Sequence, residues 1–311
     1  MSVAFVFPGQ GSQQVGMMSG FAGHRAVRDT FAEASEALGD DLWKLVDEGP
    51  AEALGLTRNT QPAMLTAGVA VWRAWQAASG RAPAFMAGHS LGEYSALVAA
   101  GALAFRDAVP LVRFRAEAMQ DAVPAGVGAM AAIMGGDEAA IADACREAAQ
   151  GEIVEPVNFN GPGQIVIAGH RTAVERAIVA AKARGAKRGL LLPVSAPFHS
   201  SLLKPAAERL AARLADVAVA APAIPVVHNV DVAMHAAPAD IRAALARQAA
   251  SAVRWTETVQ AFVAQGVTHV VECGPGKVLS GLARRIDETL TVYALGDRAG
   301  FDEALAALKG S

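Results

Sequence analysis

The chain has 311 residues, of which 53% are hydrophobic and 18% charged, and its formal net charge is −3. This length predicts one large domain, or a large domain carrying a smaller one, with ample apolar material for a core. The near-neutral charge balance argues against a nucleic-acid-binding protein, which would normally carry a basic surface. A membrane protein is also excluded, because no apolar run reaches the ~18 residues that a spanning helix needs.

Cysteine content and the first residues indicate the cellular compartment of the protein. Cys145 and Cys273 are the two cysteines of the sequence, and neither lies in a spacing typical of metal ligands. The sequence therefore predicts no disulfide and no metal site. Residues 1–8 have no basic leader and too short an apolar run for a signal peptide. We expect a cytoplasmic protein.

Strands and helices alternate along the chain. The apolar run Val3–Phe7 predicts a buried strand, and the loop after it is rich in backbone donors. A helix is expected from about Asn59 to Ala78, with Pro62 in its first turn. This alternation predicts an α/β fold with a parallel sheet covered by helices.

The next strand leads into a glycine-flanked serine. Residues 84–87 are apolar, Gly88-His89-Ser90-Leu91-Gly92 follows, and a helical pattern continues to about Ala99. This is the G-x-S-x-G nucleophile elbow in its required strand–turn–helix context. The backbone N–H of Leu91 would point to the place where an oxyanion forms. The alternative is a glycine-rich loop with an incidental serine, since such short patterns recur by chance.

A helix from about residue 106 to 122 carries an arginine on its apolar face. Arg115 shares that face with Leu111, Val112 and Met119. A buried guanidinium keeps its charge and needs an anionic partner. That partner could be a substrate group or, equally well, an acidic residue of this chain in a buried salt bridge.

The pattern changes after Pro124. Between residues 125 and 195 the predicted order is strand, helix, strand, strand, helix, strand, with Asn160-Gly161-Pro162-Gly163 as the hairpin turn. This order is typical of a ferredoxin-like subdomain. We therefore expect residues 1–124 and 196–311 to form the large domain and residues 125–195 to form an insert.

A serine nucleophile requires a base, and the sequence contains seven histidines. His199 is the preferred candidate, because it lies in the loop that returns from the insert, and His228 near a strand end is a weaker one. His89 adjoins the serine, but side chains on so tight a turn diverge. No aspartate between Ser90 and His199 follows a strand beside the elbow, so the acid of a hydrolase triad is missing from its usual place.

Several motifs together resemble the malonyl-CoA:acyl carrier protein transacylase family, and the similarity covers nearly the whole chain. The segments that carry it are, in chain order, Phe7-Pro8-Gly9-Gln10-Gly11-Ser12, Gly88-His89-Ser90-Leu91-Gly92-Glu93, Arg113-Phe114-Arg115, Ala196-Pro197-Phe198-His199-Ser200, Gln248 and Gly274-Pro275-Gly276-Lys277-Val278-Leu279. The resemblance implies an α/β-hydrolase-like domain with a ferredoxin-like insert.

The resemblance also implies the roles of residues in the acyl-transfer step. Ser90 would be the nucleophile and His199 the general base and acid. The backbone N–H groups of Gln10 and Leu91 would form the oxyanion hole. The backbone carbonyl of Gln248 would orient the histidine in place of the missing aspartate.

Further residues are implied for substrate binding. Arg115 would pair with the malonyl carboxylate, Asn160 would lie near the cleft, and Phe198 would leave little room for an α-methyl branch. Malonyl-CoA and holo acyl carrier protein are the implied partners of an enzyme expected to be a monomer without a metal or redox cofactor. The phosphopantetheine thiol of the carrier would be the acceptor.

Three alternatives remain at this stage. The chain could be a serine esterase or thioesterase, in which water attacks the acyl-serine. It could be a malonyl transacylase of a malonate decarboxylase or polyketide pathway. It could also be a carrier-binding module without activity, although Ser90 and His199 argue against that.

Overall fold

Two β-sheets form the framework of the protein, whose structure is a computed structural model that describes residues 1–309. Gly310 and Ser311, the end of the expected segment 196–311, lie outside the described residues. The first sheet has the order β7-β2-β1-β8-β9 and the second the order β4-β5-β3-β6. The strands are β1 (Val3–Phe7), β2 (Phe85–Gly88), β3 (Gly128–Met134), β4 (Val154–Gly161), β5 (Gln164–His170), β6 (Arg188–Leu191), β7 (Val226–Val227), β8 (His269–Glu272) and β9 (Thr291–Ala294).

Helices cover both faces of the first sheet and one face of the second. They are α1 (Arg25–Leu38), α2 (Leu42–Glu48), α3 (Ala51–Gly55), α4 (Thr57–Ala77), α5 (Gly92–Ala99), α6 (Phe105–Asp121), α7 (Glu138–Ala149), α8 (Arg171–Ala183), α9 (Lys204–Ala215), α10 (Pro238–Gln248), α11 (Trp255–Ala264), α12 (Val278–Ile286) and α13 (Arg298–Leu308). Within residues 1–309 no helix combines the length and apolar character that crossing a membrane demands.

All strand pairs of the first sheet are parallel, as the alternation of elements predicts. Strand β1 lies at its centre and is buried along its whole length, because helices pack on both of its faces. The register pairs Phe7 with Gly88, so β1 and β2 end side by side. The loops that follow these strands, with Gln10 in one and Ser90 in the other, therefore meet at one edge of the sheet.

The second sheet is antiparallel and has the strand order of a ferredoxin-like unit. Its two faces differ, because successive side chains of a strand point to opposite sides. Ile165 and Ile167 pack with the core under α7 and α8, whereas Val166 joins the main core of the protein. The face that carries Val166 is turned toward the loops at the edge of the first sheet. It forms one wall of the site described below.

Two elements differ from the prediction. Helix α4 begins at Thr57, so Pro62 lies in its second turn and not its first. Proline is tolerated there with the loss of one backbone hydrogen bond, because the burial of most of α4 stabilises the helix. The strand expected over residues 225–229 is confined to Val226–Val227, since His228 and Asn229 turn away to bond the elbow region.

Candidate active site

The turn around Ser90 is a nucleophile elbow whose glycines are required by space. A Cβ on Gly88 would lie 1.9 Å from the carbonyl carbon of Gly92, and one on Gly92 would lie 2.0 Å from the carbonyl oxygen of Phe7. Ser90 itself has a φ of 52°, in the left-handed region that non-glycine residues rarely adopt. Such strain is maintained only where the surrounding structure holds it.

The side chain of Asn229 stabilises the elbow through two hydrogen bonds. Its Oδ1 accepts a hydrogen bond of 2.7 Å from the backbone N–H of Ser90, and its Nδ2 donates one of 2.7 Å to the carbonyl of Gly88. One N–H and one carbonyl of the strained turn are thus paired with a single buried side chain. This brace comes from the loop after β7, far away in sequence.

Ser90 and His199 form a hydrogen-bonded pair. The Ser90 Oγ lies 2.7 Å from Nε2 of His199, and Nδ1 of the same ring lies 2.9 Å from the backbone carbonyl of Gln248. Because a carbonyl only accepts, the proton sits on Nδ1 and Nε2 is free to accept the serine proton. A backbone carbonyl therefore orients the base where a hydrolase triad uses a carboxylate.

Burial keeps His199 neutral. The histidine is 5% exposed. This burial, together with the charge of Arg115, lowers its pKa to about 3, although the hydrogen bond that Nδ1 donates to the Gln248 carbonyl opposes the shift. A neutral imidazole is the form that can remove a proton. His199 also has a φ of 67°, so both members of the pair occupy strained backbone conformations.

Arg115 is buried beside this pair. Its Nη1 donates to Oε1 of Gln61 at 2.8 Å, and its Nη2 donates to Oε1 of Gln248 at 2.9 Å and to Ser90 Oγ at 3.1 Å. Among the described residues no carboxylate accepts a hydrogen bond from this guanidinium. The buried salt bridge that the sequence left open is therefore not formed, and the positive charge faces the nucleophile.

Gln10 and Leu91 line the same cavity as Ser90. The two loops are packed together, since a Cβ on Gly9 would lie 2.5 Å from the carbonyl of His89 and 3.8 Å from the nitrogen of Leu91. Within residues 1–309 the backbone N–H of neither Gln10 nor Leu91 donates a hydrogen bond to the protein. Two such donors beside a nucleophile have the arrangement of an oxyanion hole.

These groups line a cavity of about 220 Å³ between the two sheets. Its floor is polar, with the serine, the histidine and the arginine, whereas its walls are largely apolar. The remaining lining residues are Gln10, Gln61, His89, Leu91, Met119, Met130, Asn158, Asn160, Val166, Leu192, Val194 and Phe198. Such a pocket presents both a cation and a nucleophile to a ligand that enters it.

Asn160 and Phe198 also line the cavity. The Oδ1 of Asn160 lies 2.8 Å from Nε2 of His89, so this asparagine links the second sheet to the elbow. His89 points away from the serine, as expected for a tight turn, and its ring lies 5.5 Å from that of Trp255. Phe198 adjoins the base and is 8% exposed.

Sequence reasoning missed four residues of this network: Gln61, Glu93, Asn229 and the side chain of Gln248. The Gln248 amide donates to the carbonyl of Ser90 at 2.9 Å and to Glu93 at 2.9 Å, besides accepting from Arg115. A polar residue on a fully buried helix face was the available signal for Gln61 and Gln248. No local pattern marks Asn229.

A parallel α/β domain that presents a serine, a neutral histidine and two free backbone donors defines a serine-dependent acyl-transfer enzyme. The acyl transferase domain family matches residues 4–292 of the chain. The malonyl CoA-acyl carrier protein transacylase of Salmonella typhimurium is 59% identical over 303 residues, which are 97% of this chain and 98% of that protein.

Solved structures agree with these matches. The crystal structure of the acyl-carrier-protein S-malonyltransferase from Burkholderia pseudomallei has a TM-score of 0.97 and 60% identity, covering 98% of this chain and 100% of that one. A malonyl transacylase solved in complex with a type II PKS acyl carrier protein has a TM-score of 0.97 and 54% identity, covering 99% and 100%. The chain belongs to the malonyl-CoA:acyl carrier protein transacylase family.

Proposed function

We propose that this enzyme transfers the malonyl group of malonyl-CoA to the phosphopantetheine thiol of acyl carrier protein, through a malonyl-serine ester on Ser90. The observation that carries the proposal is the buried cation of Arg115, which contacts the nucleophile and, within residues 1–309, donates no hydrogen bond to a carboxylate. An acyl group that ends in a carboxylate supplies that partner. The family membership supports the same substrate and carrier.

The first half-reaction uses the serine–histidine pair. His199 Nε2 takes the proton of Ser90 as Oγ attacks the thioester carbonyl of malonyl-CoA. The tetrahedral oxyanion is stabilised by the N–H groups of Gln10 and Leu91. As the intermediate collapses, the carbon–sulfur bond breaks, His199 returns its proton to the sulfur, and CoA leaves as a thiol.

The second half-reaction repeats these steps with the carrier. His199 removes the proton of the phosphopantetheine thiol, and the sulfur attacks the carbonyl carbon of the malonyl ester. The bond between that carbon and Ser90 Oγ then breaks, and His199 returns the proton to Oγ. No redox change occurs, and the residues named suffice for both steps, so we propose that no metal or redox cofactor takes part. Phe198 beside the base narrows the cavity next to the α-carbon, which disfavours a methyl-branched malonyl group.

The decisive test is intact mass spectrometry of the enzyme with malonyl-CoA, followed by addition of holo acyl carrier protein. We expect one malonyl adduct, which the carrier removes at least about tenfold faster than water does because water is not positioned by a partner surface. Absence of the adduct, or equal loss with and without the carrier, would contradict the proposal. Equal loss would favour a thioesterase.

The pH dependence of acylation is a second test. Because burial lowers the pKa of His199 to about 3, the base stays neutral well below the usual histidine range. We expect kcat/KM for Ser90 acylation to remain flat between about pH 8 and pH 5. A rate that halves near the ordinary histidine pKa of about 6.5 would show that the base is solvated.

Folding must be monitored in the same pH series. The unfolded chain binds a proton on His199 at about pH 6.5, whereas the folded protein does not until about pH 3. The unfolded state therefore holds more protons in this window, and stability falls as the pH drops through it. Circular dichroism at each pH separates this loss from titration of the base.

The carrier could serve fatty acid or polyketide synthesis. Fatty acid synthesis is the function that the names of the curated relatives support, while one similar structure holds a polyketide carrier. Rates with both classes of carrier would separate the two. We further propose that the enzyme is a cytoplasmic monomer that binds no nucleic acid, which its near-neutral charge supports.

We also propose that residues 125–195 form a subdomain inserted into a catalytic domain of residues 1–124 and 196–311. The separate core beneath α7 and α8 supports this division.

A further inference from the structure

Glu93 is a fully buried carboxylate three residues after the nucleophile, and the reaction described above does not use it. Its Oε2 accepts hydrogen bonds of 2.9 Å from the backbone N–H of Asn229 and from Nε2 of Gln248. Its Oε1 lies 2.8 Å from Nδ1 of His228. A carboxylate is rarely buried so completely without a cation, so its counter-charge needs to be identified.

The side-chain amide of Gln248 connects this carboxylate to Arg115. A guanidinium only donates, so the Gln248 oxygen must face Arg115 and the Gln248 nitrogen must face Glu93. The two hydrogen bonds are 2.9 Å each. One planar amide therefore separates a buried cation from a buried anion, and the hydrogen bonds polarise in the same direction.

Other acidic groups near Arg115 do not balance its charge. The ring of Tyr94 lies 5.4 Å from the guanidinium carbon, but burial raises the pKa of its hydroxyl, which stays protonated. Burial lowers the pKa of Arg115, and the negative charge of Glu93 opposes that shift. Glu93 is thus the carboxylate that one side chain, Gln248, links to Arg115.

We propose that Glu93 is a positioning residue that supplies the counter-charge of Arg115 through the Gln248 amide and so sets how strongly the site prefers an anionic acyl group. The inference rests on the proposed function, in which Arg115 receives the malonyl carboxylate. A bound malonyl group shares Arg115 with Glu93, so the carboxylate is held less tightly than by an unbalanced cation. This moderation lets the malonyl group leave with the carrier.

His228 is the other group that can balance Glu93. Burial alone would lower its pKa, but Glu93 and, more weakly, Asp231 outweigh burial and raise it. The ring of His235 lies 5.0 Å from it, tilted by 43°, and Asp231 pairs with both His235 and Arg247. Protonated His228 offsets part of the negative charge of Glu93. The test is therefore made near pH 8, where a smaller fraction of His228 is protonated than at lower pH.

The test is the binding of malonyl-CoA and acetyl-CoA to Glu93→Gln, measured by calorimetry in a Ser90→Gly background that cannot be acylated. Glutamine keeps the shape, and its oxygen can still accept from Gln248. Its amide nitrogen then faces Nδ1 of His228, which accepts that hydrogen bond in its neutral form. We expect malonyl-CoA to bind roughly tenfold more tightly, as for removal of one charge at short range in a partly shielded site. Acetyl-CoA has no carboxylate, and its affinity should change by less than about twofold.

Two matched variants distinguish the loss of the Glu93 charge from structural damage. Glu272→Gln removes another fully buried carboxylate, one that caps α12 through Leu279 and Ser280 and lies outside the cavity. It should leave the ratio of malonyl-CoA to acetyl-CoA affinity unchanged. Glu93→Asp retains the charge, so its ratio should equal that of the Ser90→Gly parent even if its melting temperature is lower.

The outcomes are distinct. An unchanged ratio in Glu93→Gln, or equal weakening of both thioesters, would overturn the counter-charge role and leave Glu93 as a structural residue. If Arg115→Ala also leaves the ratio unchanged, the carboxylate contact itself fails, and with it the proposed function. A tighter malonyl-CoA complex in Glu93→Gln alone supports the inference.

Discussion

Replacement of Ser90 by glycine should abolish the malonyl adduct and lower malonyl transfer at least about thousandfold, since the nucleophile and its base act as a unit. Glycine is the suitable substitute because Ser90 has a φ of 52°, a conformation that glycine adopts without strain. The adduct is measured by intact mass and the transfer by the appearance of malonylated carrier. The melting temperature reports whether the elbow remains folded.

Ser95→Ala is the matched control. Ser95 is a buried serine on the helix that follows the elbow, and it does not line the cavity. This variant should carry the adduct and transfer malonyl groups as the parent does. A malonyl adduct that persists in Ser90→Gly would show that another residue is the nucleophile.

Arg115→Ala should reduce malonyl transfer by about a hundredfold or more relative to acetyl transfer, because charge-assisted hydrogen bonds to the carboxylate are lost. Both rates should fall to some extent, since Arg115 also donates to Ser90 Oγ at 3.1 Å. The informative quantity is therefore the ratio of kcat/KM for malonyl-CoA to that for acetyl-CoA. It compares the two substrates in the same protein and cancels general damage.

Arg113→Ala provides the comparison on the same helix. Arg113 is ion-paired with Asp40 and lies outside the cavity. Its loss should leave the malonyl-to-acetyl ratio within about twofold of the parent, because a group outside the cavity acts on both substrates alike. Equal losses for both acyl groups in Arg115→Ala would exclude the carboxylate contact.

Much of the fold follows from patterns within single elements. The apolar run of β1 predicted a buried strand, and the order of elements between residues 125 and 195 predicted the ferredoxin-like unit. The start of α4 was misplaced by two residues, since Pro62 is typical of a first turn and here lies in the second. Burial of the helix outweighed the local preference.

The site also has features that local patterns predict and features that they do not. Gly88, Ser90 and Gly92 lie within one turn, so the elbow and its steric requirements are encoded by five consecutive residues. The helical period placed Arg115 on a buried face, where the structure finds it 1% exposed. The role of Arg115 could not be decided from its position on that face. Either an internal salt bridge or a substrate carboxylate would balance the charge of a buried cation.

What the sequence by itself determined is therefore local: the strained serine turn, the apolar strands and the buried position of the arginine. Only the tertiary structure decided which groups meet. His199 is 109 positions from Ser90, Asn229 is 139 and Gln248 is 158. The physical reason is that periodicity and turn chemistry act over a few residues, whereas these partners are brought together by sheet order and helix packing.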